Sequence, residues 1–224
     1  MRRADRERHY RALRSVGLKT NRLDTLVDGV YAIALTLLVL DVKLPDGIAN
    51  AGGVHAALVA MLPKLAVYFI AFSSIALSWM CHHYYASLVV RTDYLHVCLN
   101  LAALLFIALV PFSAAAMGTY PFDSWAVASF TLNMALAGLV YALNWEHCVR
   151  FLIVEGLSEK VLRFSKVMAW SFLVTEVGAT GVAFISSYAG IAVAAAIIAL
   201  GFAFLAVLEP QIIRSRYEAE GGQR

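Results

Sequence analysis

Along the chain, apolar positions gather into long runs rather than into the short alternation of a half-buried strand. Five runs, at 63–81, 97–117, 125–145, 167–185 and 188–208, are long enough for a helix to cross a hydrocarbon core of about 30 Å, which takes about 20 apolar residues. A sixth, at 23–40, precedes them and is unlike the rest: Asp24 and Asp28 occupy its opening turns, and a nearly uniform aliphatic stretch follows from Val30 to Leu40. Lipid accepts only helices or closed barrels, and no strand periodicity survives in these runs. The expected architecture is therefore all-α, a polytopic membrane protein with six transmembrane helices.

Basic residues supply an independent test of that count, because cytoplasmic loops retain Lys and Arg. With the amino terminus inside, every one of the 18 Lys and Arg residues except Lys43 and Lys64 falls on the inner side. Both termini are then cytoplasmic. Eight of the basic residues, Arg2, Arg3, Arg6, Arg8, Arg11, Arg14, Lys19 and Arg22, lie in the first 22 positions. This start has no apolar core followed by a small-residue cleavage site, so it reads as a retained cytoplasmic segment. Its expected partner is anionic lipid rather than nucleic acid, since a tethered basic arm lies against its own leaflet. Three parts result: a basic segment at 1–22, a six-helix transmembrane domain at 23–209 and a cytoplasmic tail at 210–224. Residues 41–62, with Pro45, Asp46, Gly47, Gly52 and Gly53, read as an outer turn region with some interfacial helix.

Composition agrees and excludes two classes. Apolar residues make up 61% and charged residues 15% of 224 positions, against about 45–50% apolar in soluble domains. An ordinary cytosolic enzyme and a disordered tail are both ruled out. Catalytic signatures are also missing: the sequence has no His-Glu-x-x-His pair, no Gly-x-Ser-x-Gly elbow and no phosphate-binding glycine loop, so no enzymatic activity and no cofactor is expected. Cys81, Cys98 and Cys148 lack a Cys-x-x-Cys spacing and read as free, buried small hydrophobes. His82 and His83 are adjacent, which turns their side chains about 100° apart on a helix and argues against a shared metal.

An ionisable side chain at the bilayer centre costs about 2.5–3.5 kcal/mol on insertion scales, so each one needs a partner, a wet cavity or a role. Asp28 in the first span and Glu176 in the fifth are the acidic cases; His96, Asn100, Asn133, Asn144, Glu146 and His147 are the polar positions of the third and fourth. For Glu176, two readings stand: a protonated carboxyl hydrogen-bonded to a neighbouring helix, or a proton site. The first is favoured.

The opening helix carries a resemblance. From Arg22 the chain reads Arg-Leu-Asp-Thr-Leu-Val-Asp-Gly, then Val30-Tyr31-Ala32-Ile33-Ala34-Leu35-Thr36-Leu37-Leu38-Val39-Leu40-Asp41, with Pro45 shortly after. This is similar to the prokaryotic members of the endosomal and lysosomal potassium channel family (transmembrane protein 175), whose first helix bears Arg-x-x-x-Phe-Ser-Asp-Gly before an Ala-Ile-rich run. Arg22, Asp28 and Gly29 match; Leu26 and Val27 replace the Phe and Ser. Pro63-Lys64, His82-His83, Asn100 and Pro111-Phe112 extend the likeness.

The resemblance implies a homotetramer with the first helix of each subunit around a central potassium-permeable pore. At 3.6 residues per turn, Gly29, Ile33, Thr36 or Leu37, and Leu40 share one face of that helix. By resemblance, Ile33 is the narrowest ring, Leu37 and Leu40 are further hydrophobic layers, and Thr36 offers a hydroxyl near the path. These rings stand in place of a Thr-Val-Gly-Tyr-Gly carbonyl filter, which the sequence lacks. Gly29, Ala32 and Ala34 are small enough to let first helices approach closely. The family signature further implies a clamp near the inner side, in which Arg22 and Asp28 hydrogen-bond with His82 or His83 and Asn100. Asp41 is either a ring of carboxylates at the outer mouth or a solvated helix end.

The function expected is a potassium channel in a prokaryotic cell membrane, with potassium ions as its transient ligand. The alternatives are a proton channel or a proton-coupled transporter using Glu176, and a scaffold without flux. The topology is directly testable. In a background lacking Cys81, Cys98 and Cys148, a Ser124→Cys variant labels with an impermeant maleimide from outside intact cells, and a Ser158→Cys variant labels only after permeabilisation.

Overall fold

The computed structural model describes residues 20–44, 53–153 and 156–221. Most of the basic amino-terminal segment thus lies outside the described residues, as do residues 45–52 of the outer turn region. The first helix, α1, is Thr20–Leu37 and tightens into a 3-10 turn over Leu38–Asp41. A short helix, α2 (Gly53–Ala60), precedes α3 (Leu62–Leu88), α4 (Tyr94–Thr119), α5 (Ser124–Phe151), α6 (Glu159–Ile185) and α7 (Ser187–Gly221). Six of these, all except α2, are long and apolar enough to span a bilayer. The all-α, six-span architecture read from the hydropathy pattern is the architecture observed.

Outer helix ends fall close to the ends of the apolar runs, but the inner ends do not. α3 continues past Cys81 to Leu88, α5 past Trp145 to Phe151, and α6 begins at Glu159, well before the apolar run. Hydropathy reports where lipid stops, whereas a helix continues for as long as side chains find partners. On the inner side those partners exist: Trp145 stacks on Tyr85 at 4.3 Å and donates from Nε1 to Ser165 Oγ at 3.0 Å. Leu88, Val89, Cys148, Leu152 and Val161 close a second apolar core beside it. The α3–α4 connection is tied to the segment after α5 by an antiparallel bridge between Val89 and Ile153, with Val90 N–H donating to Leu152 C=O at 3.0 Å. At the other end, α7 runs unbroken through Pro210, so the proposed tail boundary is not a break in structure.

Local chemistry explains the starts. Asp93 caps α4, accepting from His96 N–H at 2.8 Å, and Asp123 caps α5, accepting from Trp125 and Ala126 N–H at 2.8 and 3.1 Å. Pro63 sits in the first turn of α3, where its missing N–H costs nothing. Pro111 lies inside α4 and leaves the Ile107 carbonyl without its usual donor.

The central core joins five helices. Leu23, Val27, Tyr31, Ala34 and Leu38 of α1 pack with Val67, Ala71 and Ile75 of α3, with Leu104, Ile107, Val110 and Met117 of α4, with Val127, Phe130 and Met134 of α5, and with Ala183 of α6. α1 lies on α4 and α3, while α5 is wedged between α4 and α6, and α7 covers α6 and α3. Close helix approach is enforced by glycine at the α6–α7 corner. A Cβ on Gly190 would lie 2.9 Å from the Ala183 Cα and 3.1 Å from a Val127 methyl. Gly190→Leu should therefore lower stability by about 1–3 kcal/mol, the usual cost of overpacking, read as a reduced midpoint in detergent thermal unfolding.

Candidate functional site

Helix α1 has two unlike faces. Leu23, Val27, Tyr31, Ala34 and Leu38 recur every three or four residues and are buried within the subunit. The opposite stripe is uncovered: Ile33 is 59% exposed, Leu37 42% and Leu40 60%, with Leu26 and Gly29 in line below them. A Cβ on Gly29 would meet nothing within 4 Å. The stripe expected from the 3.6-residue period is thus the one that the bundle leaves free. Its upper part is modified by the 3-10 turn, in which residues three apart eclipse, so that Leu40 comes to stand over Leu37. Two details differ from expectation. Ala34 faces the core of the bundle, leaving Gly29 and Ala32 as the small residues on the open side. The Thr36 hydroxyl turns back to its own helix, donating to the carbonyls of Ala32 and Ile33 at 3.0 and 2.9 Å. Asp41 is half-buried at the end of the 3-10 turn.

The expected clamp takes another form. Asp28 Oδ1 accepts from Trp79 Nε1 at 2.9 Å, and Trp79 in turn stacks on His83 with ring centroids 5.5 Å apart. His83 therefore supports the Asp28 partner rather than serving as the partner. Asn100 is buried on α4 and its amide donates to the His96 carbonyl at 2.8 Å. Among the described residues, Arg22 is exposed and pairs with none of the three positions named for it. The reason is register: on α1, Asp28 and the core residue Tyr31 lie on neighbouring faces, so Trp79, one turn before His83, is the α3 residue that comes level with the carboxylate.

Tyr31 is the contact that motif reading missed. Its hydroxyl bonds to Ser78 Oγ at 2.8 Å and to the Tyr141 hydroxyl, joining α1 to α3 and α5, and its ring lies against His82. The signal was present in the buried period of α1, where Tyr31 is the one polar-tipped member. His82 itself is buried, and its Nε2 has no hydrogen-bond partner among the described residues.

Most polar positions of the third and fourth spans find partners on a neighbouring helix, whereas Asn100 Oδ1 has none among the described residues. His96 Nδ1 donates to Asn144 Oδ1 at 2.9 Å, and Cys148 Sγ lies 3.2 Å from the same nitrogen. Asp93 Oδ2 accepts from His147 Nε2 at 2.8 Å, Asn133 donates to the Phe106 carbonyl at 3.0 Å, and Lys166 Nζ pairs with Glu146 at 2.7 Å. Cys148 is thus buried in a polar cluster, while Cys81 and Cys98 are only partly buried; all three are free thiols. Among the described residues no group of three potential ligands is arranged for a metal ion. Glu176 is 2% exposed on α6, and its Oε2 has no hydrogen-bond partner among the described residues. The neighbouring-helix bond expected of it is made instead by Thr180, whose hydroxyl meets Thr131 at 2.9 Å.

A bundle of six helices long and apolar enough to cross a bilayer, the first of them showing one aliphatic face outward, is a multi-pass membrane protein. The comparisons place it further. The family model described as endosomal/lysosomal potassium channel TMEM175 matches residues 22–111, which hold α1, α3 and most of α4. A Streptomyces collinus protein named as a potassium channel is 35% identical over 136 residues, 59% of this chain and 66% of that protein's length. The crystal structure of a lysosomal potassium-selective channel TMEM175 homolog from Chamaesiphon minutus superposes with a TM-score of 0.73 and 26% identity, covering 84% of this chain and 97% of that one. Similarity extends to the chicken protein named endosomal/lysosomal proton channel TMEM175, at 35% identity over 101 residues, 42% of this chain and 20% of that protein. This chain belongs to the TMEM175 family.

Two substitutions at Asp93 separate its two tasks. Asp93→Asn keeps a cap for α4 and removes only the anionic partner of His147, whereas Asp93→Ala removes both. The alanine variant should lose about 1 kcal/mol more than the asparagine variant, measured as the difference between their unfolding midpoints.

Proposed function

We propose that this protein is a potassium-permeable cation channel, a homotetramer in which the first helix of each subunit lines the pore. The observation that carries the reading is the two-faced α1, anchored within its own subunit along Leu23, Val27, Tyr31, Ala34 and Leu38 and bare along Ile33, Leu37 and Leu40. The names of the Streptomyces and Chamaesiphon relatives support potassium as the permeant ion. Four copies brought together on the bare stripe form stacked aliphatic rings, closed by symmetry. Such rings act by dewetting when narrow; when slightly wider they favour potassium, which sheds water more readily than sodium, so selectivity is modest.

In this reading Ile33 is the tightest ring, Leu37 and Leu40 are further layers made to eclipse by the 3-10 turn, and Asp41 stands at the outer mouth. Thr36, with its hydroxyl committed to the helix backbone, contributes a methyl surface to the path. Arg22, Asp28, Gly29, His82, His83 and Asn100 act at one remove, with Asp28 on Trp79 setting the lean of α1 against α3. The basic residues of 1–22 rest on anionic lipid of the inner leaflet, and the membrane is a prokaryotic plasma membrane. Glu176 lies on α6, whose principal neighbours are α5 and α7, so a conduction path along α1 runs apart from it.

The reading is tested in liposomes under a potassium gradient. Conductive flux reverses at the potassium potential. Ile33→Asn, by wetting the constriction, raises conductance severalfold and erodes the preference for potassium over sodium, while Glu176→Gln leaves potassium flux intact. An unchanged current in Ile33→Asn would remove Ile33 from the path. Native mass spectrometry of the purified protein should give four copies.

A further inference from the structure

Three polar side chains of α1 turn toward the bundle: Asp24, Asp28 and Tyr31, at positions i, i+4 and i+7, one to each turn. Two of them have the partners already described, Tyr31 in Ser78 and Tyr141, and Asp28 in Trp79. Asp24 has none. It is half-buried, yet its carboxylate makes no hydrogen bond with any described residue.

Beside Asp24 lies a cavity of about 20 Å³. Its walls come from four helices: Asp24 of α1, His82 of α3, His96 of α4, and Asn144 and Cys148 of α5. Val89, at the end of α3, closes it on the inner side. A space needs about 10–15 Å³ to admit one water molecule, so this one takes a single water and nothing much larger. An acyl chain, a carboxylate or a phosphate does not fit. A bare monovalent cation does, and the chemistry of the walls decides between it and water.

That decision falls to Asn144. Its carbonyl oxygen is taken by His96, whereas its Nδ2 donates to none of the described residues. Three buried polar atoms are sealed from solvent without a partner: His82 Nε2, Asn100 Oδ1 and Glu176 Oε2. Asn144 Nδ2 is not one of them although the residue is only 6% exposed, so this amide borders open space rather than packed atoms. The cavity that Asn144 lines is the one beside Asp24. A donor on α5 and a carboxylate acceptor on α1 thus share one water-sized space. A cation there would be repelled by the N–H group, and an anion by Asp24. Water accepts from the first and donates to the second.

We infer that this cavity is a binding site for one water molecule, which accepts from Asn144 Nδ2 and donates to the Asp24 carboxylate, tying the inner end of α1 to α5. Ordered water is the usual partner of buried polar groups that no side chain reaches. With it, each of the three polar residues on that side of α1 has a partner. That the tie steadies a pore helix rests on the reading of α1 given above; the binding of water does not.

The test is a crystal structure of the full-length protein, grown in a potassium salt and in a thallium salt, at a resolution that shows ordered waters elsewhere in the molecule. One peak is expected within hydrogen-bond distance of both Asn144 Nδ2 and an Asp24 carboxylate oxygen, without anomalous signal from thallium. A dry cavity, or a thallium peak inside it, would overturn the proposal. A double-mutant cycle of Asp24→Ala and Asn144→Ala, read by detergent unfolding, supplies a second measurement. The two side chains make no hydrogen bond with each other, and the lost contact of Asn144 with His96 cancels in the cycle. A bridging water makes the combined effect on the unfolding constant fall short of the product of the single effects by about fivefold, the value of one net hydrogen bond. Asp24→Asn, which keeps an acceptor, should retain most of that coupling. Effects that simply multiply would overturn the tie. Both readouts are made without ion flux, so a channel assignment that failed would leave them standing, and the reverse also holds.

Discussion

The structure depends on one seam, the buried face of α1 against α3 and α4. A lone helix in lipid has no hydrophobic reason to choose one face over another, since lipid tails are as apolar as leucine. The choice here is made by close packing and by hydrogen bonds that lipid cannot supply. Tyr31 places a hydroxyl where Ser78 and Tyr141 can bond to it, and Asp28 places a carboxylate beside the Trp79 indole. Once those polar contacts are made the rotation of α1 is set, and its other face must look away from the subunit. Whatever the bare stripe meets, it meets because Tyr31 and Asp28 have settled which way the helix is turned.

The remaining polar groups divide by depth. Toward the inner side, His96, Asn144, Asp93, His147, Glu146 and Lys166 satisfy one another across α4, α5 and α6. In a medium without water this mutual satisfaction is what lets polar residues persist in the spans. It also removes them as candidates for ion handling, since their bonding capacity is spent on holding helices together. His82, Asn100 and Glu176 differ in each having a buried atom left over among the described residues. They lie on three different helices, His82 on α3, Asn100 on α4 and Glu176 on α6.

Membership in the TMEM175 family and the physical reading support each other at one place, the first helix. The family match begins at Arg22 and ends at Pro111, covering the helices that form and support the α1 seam, while α6 and α7 lie beyond it. That division follows the packing: α1, α3 and α4 share the central core with α5, and α7 covers the outside of α3 and α6.

Span number, helical class and the free face of α1 were all legible in the sequence, because each follows from a local periodicity or from the cost of placing charge in lipid. Ile33, Leu37 and Leu40 could be grouped by counting alone. Partners could not. Asp28 was assigned to the histidines of α3 and found Trp79, Ala34 was assigned to a neighbouring helix and faces its own core, and Glu176 was given a bond that Thr180 makes instead. Which side chains meet depends on the relative rotation and height of helices far apart in sequence, and a shift of one turn exchanges Trp79 for His83. The chain by itself determined what each helix must bury. Only the tertiary packing decided which neighbour buries it, and where the helices stand apart to leave a cavity.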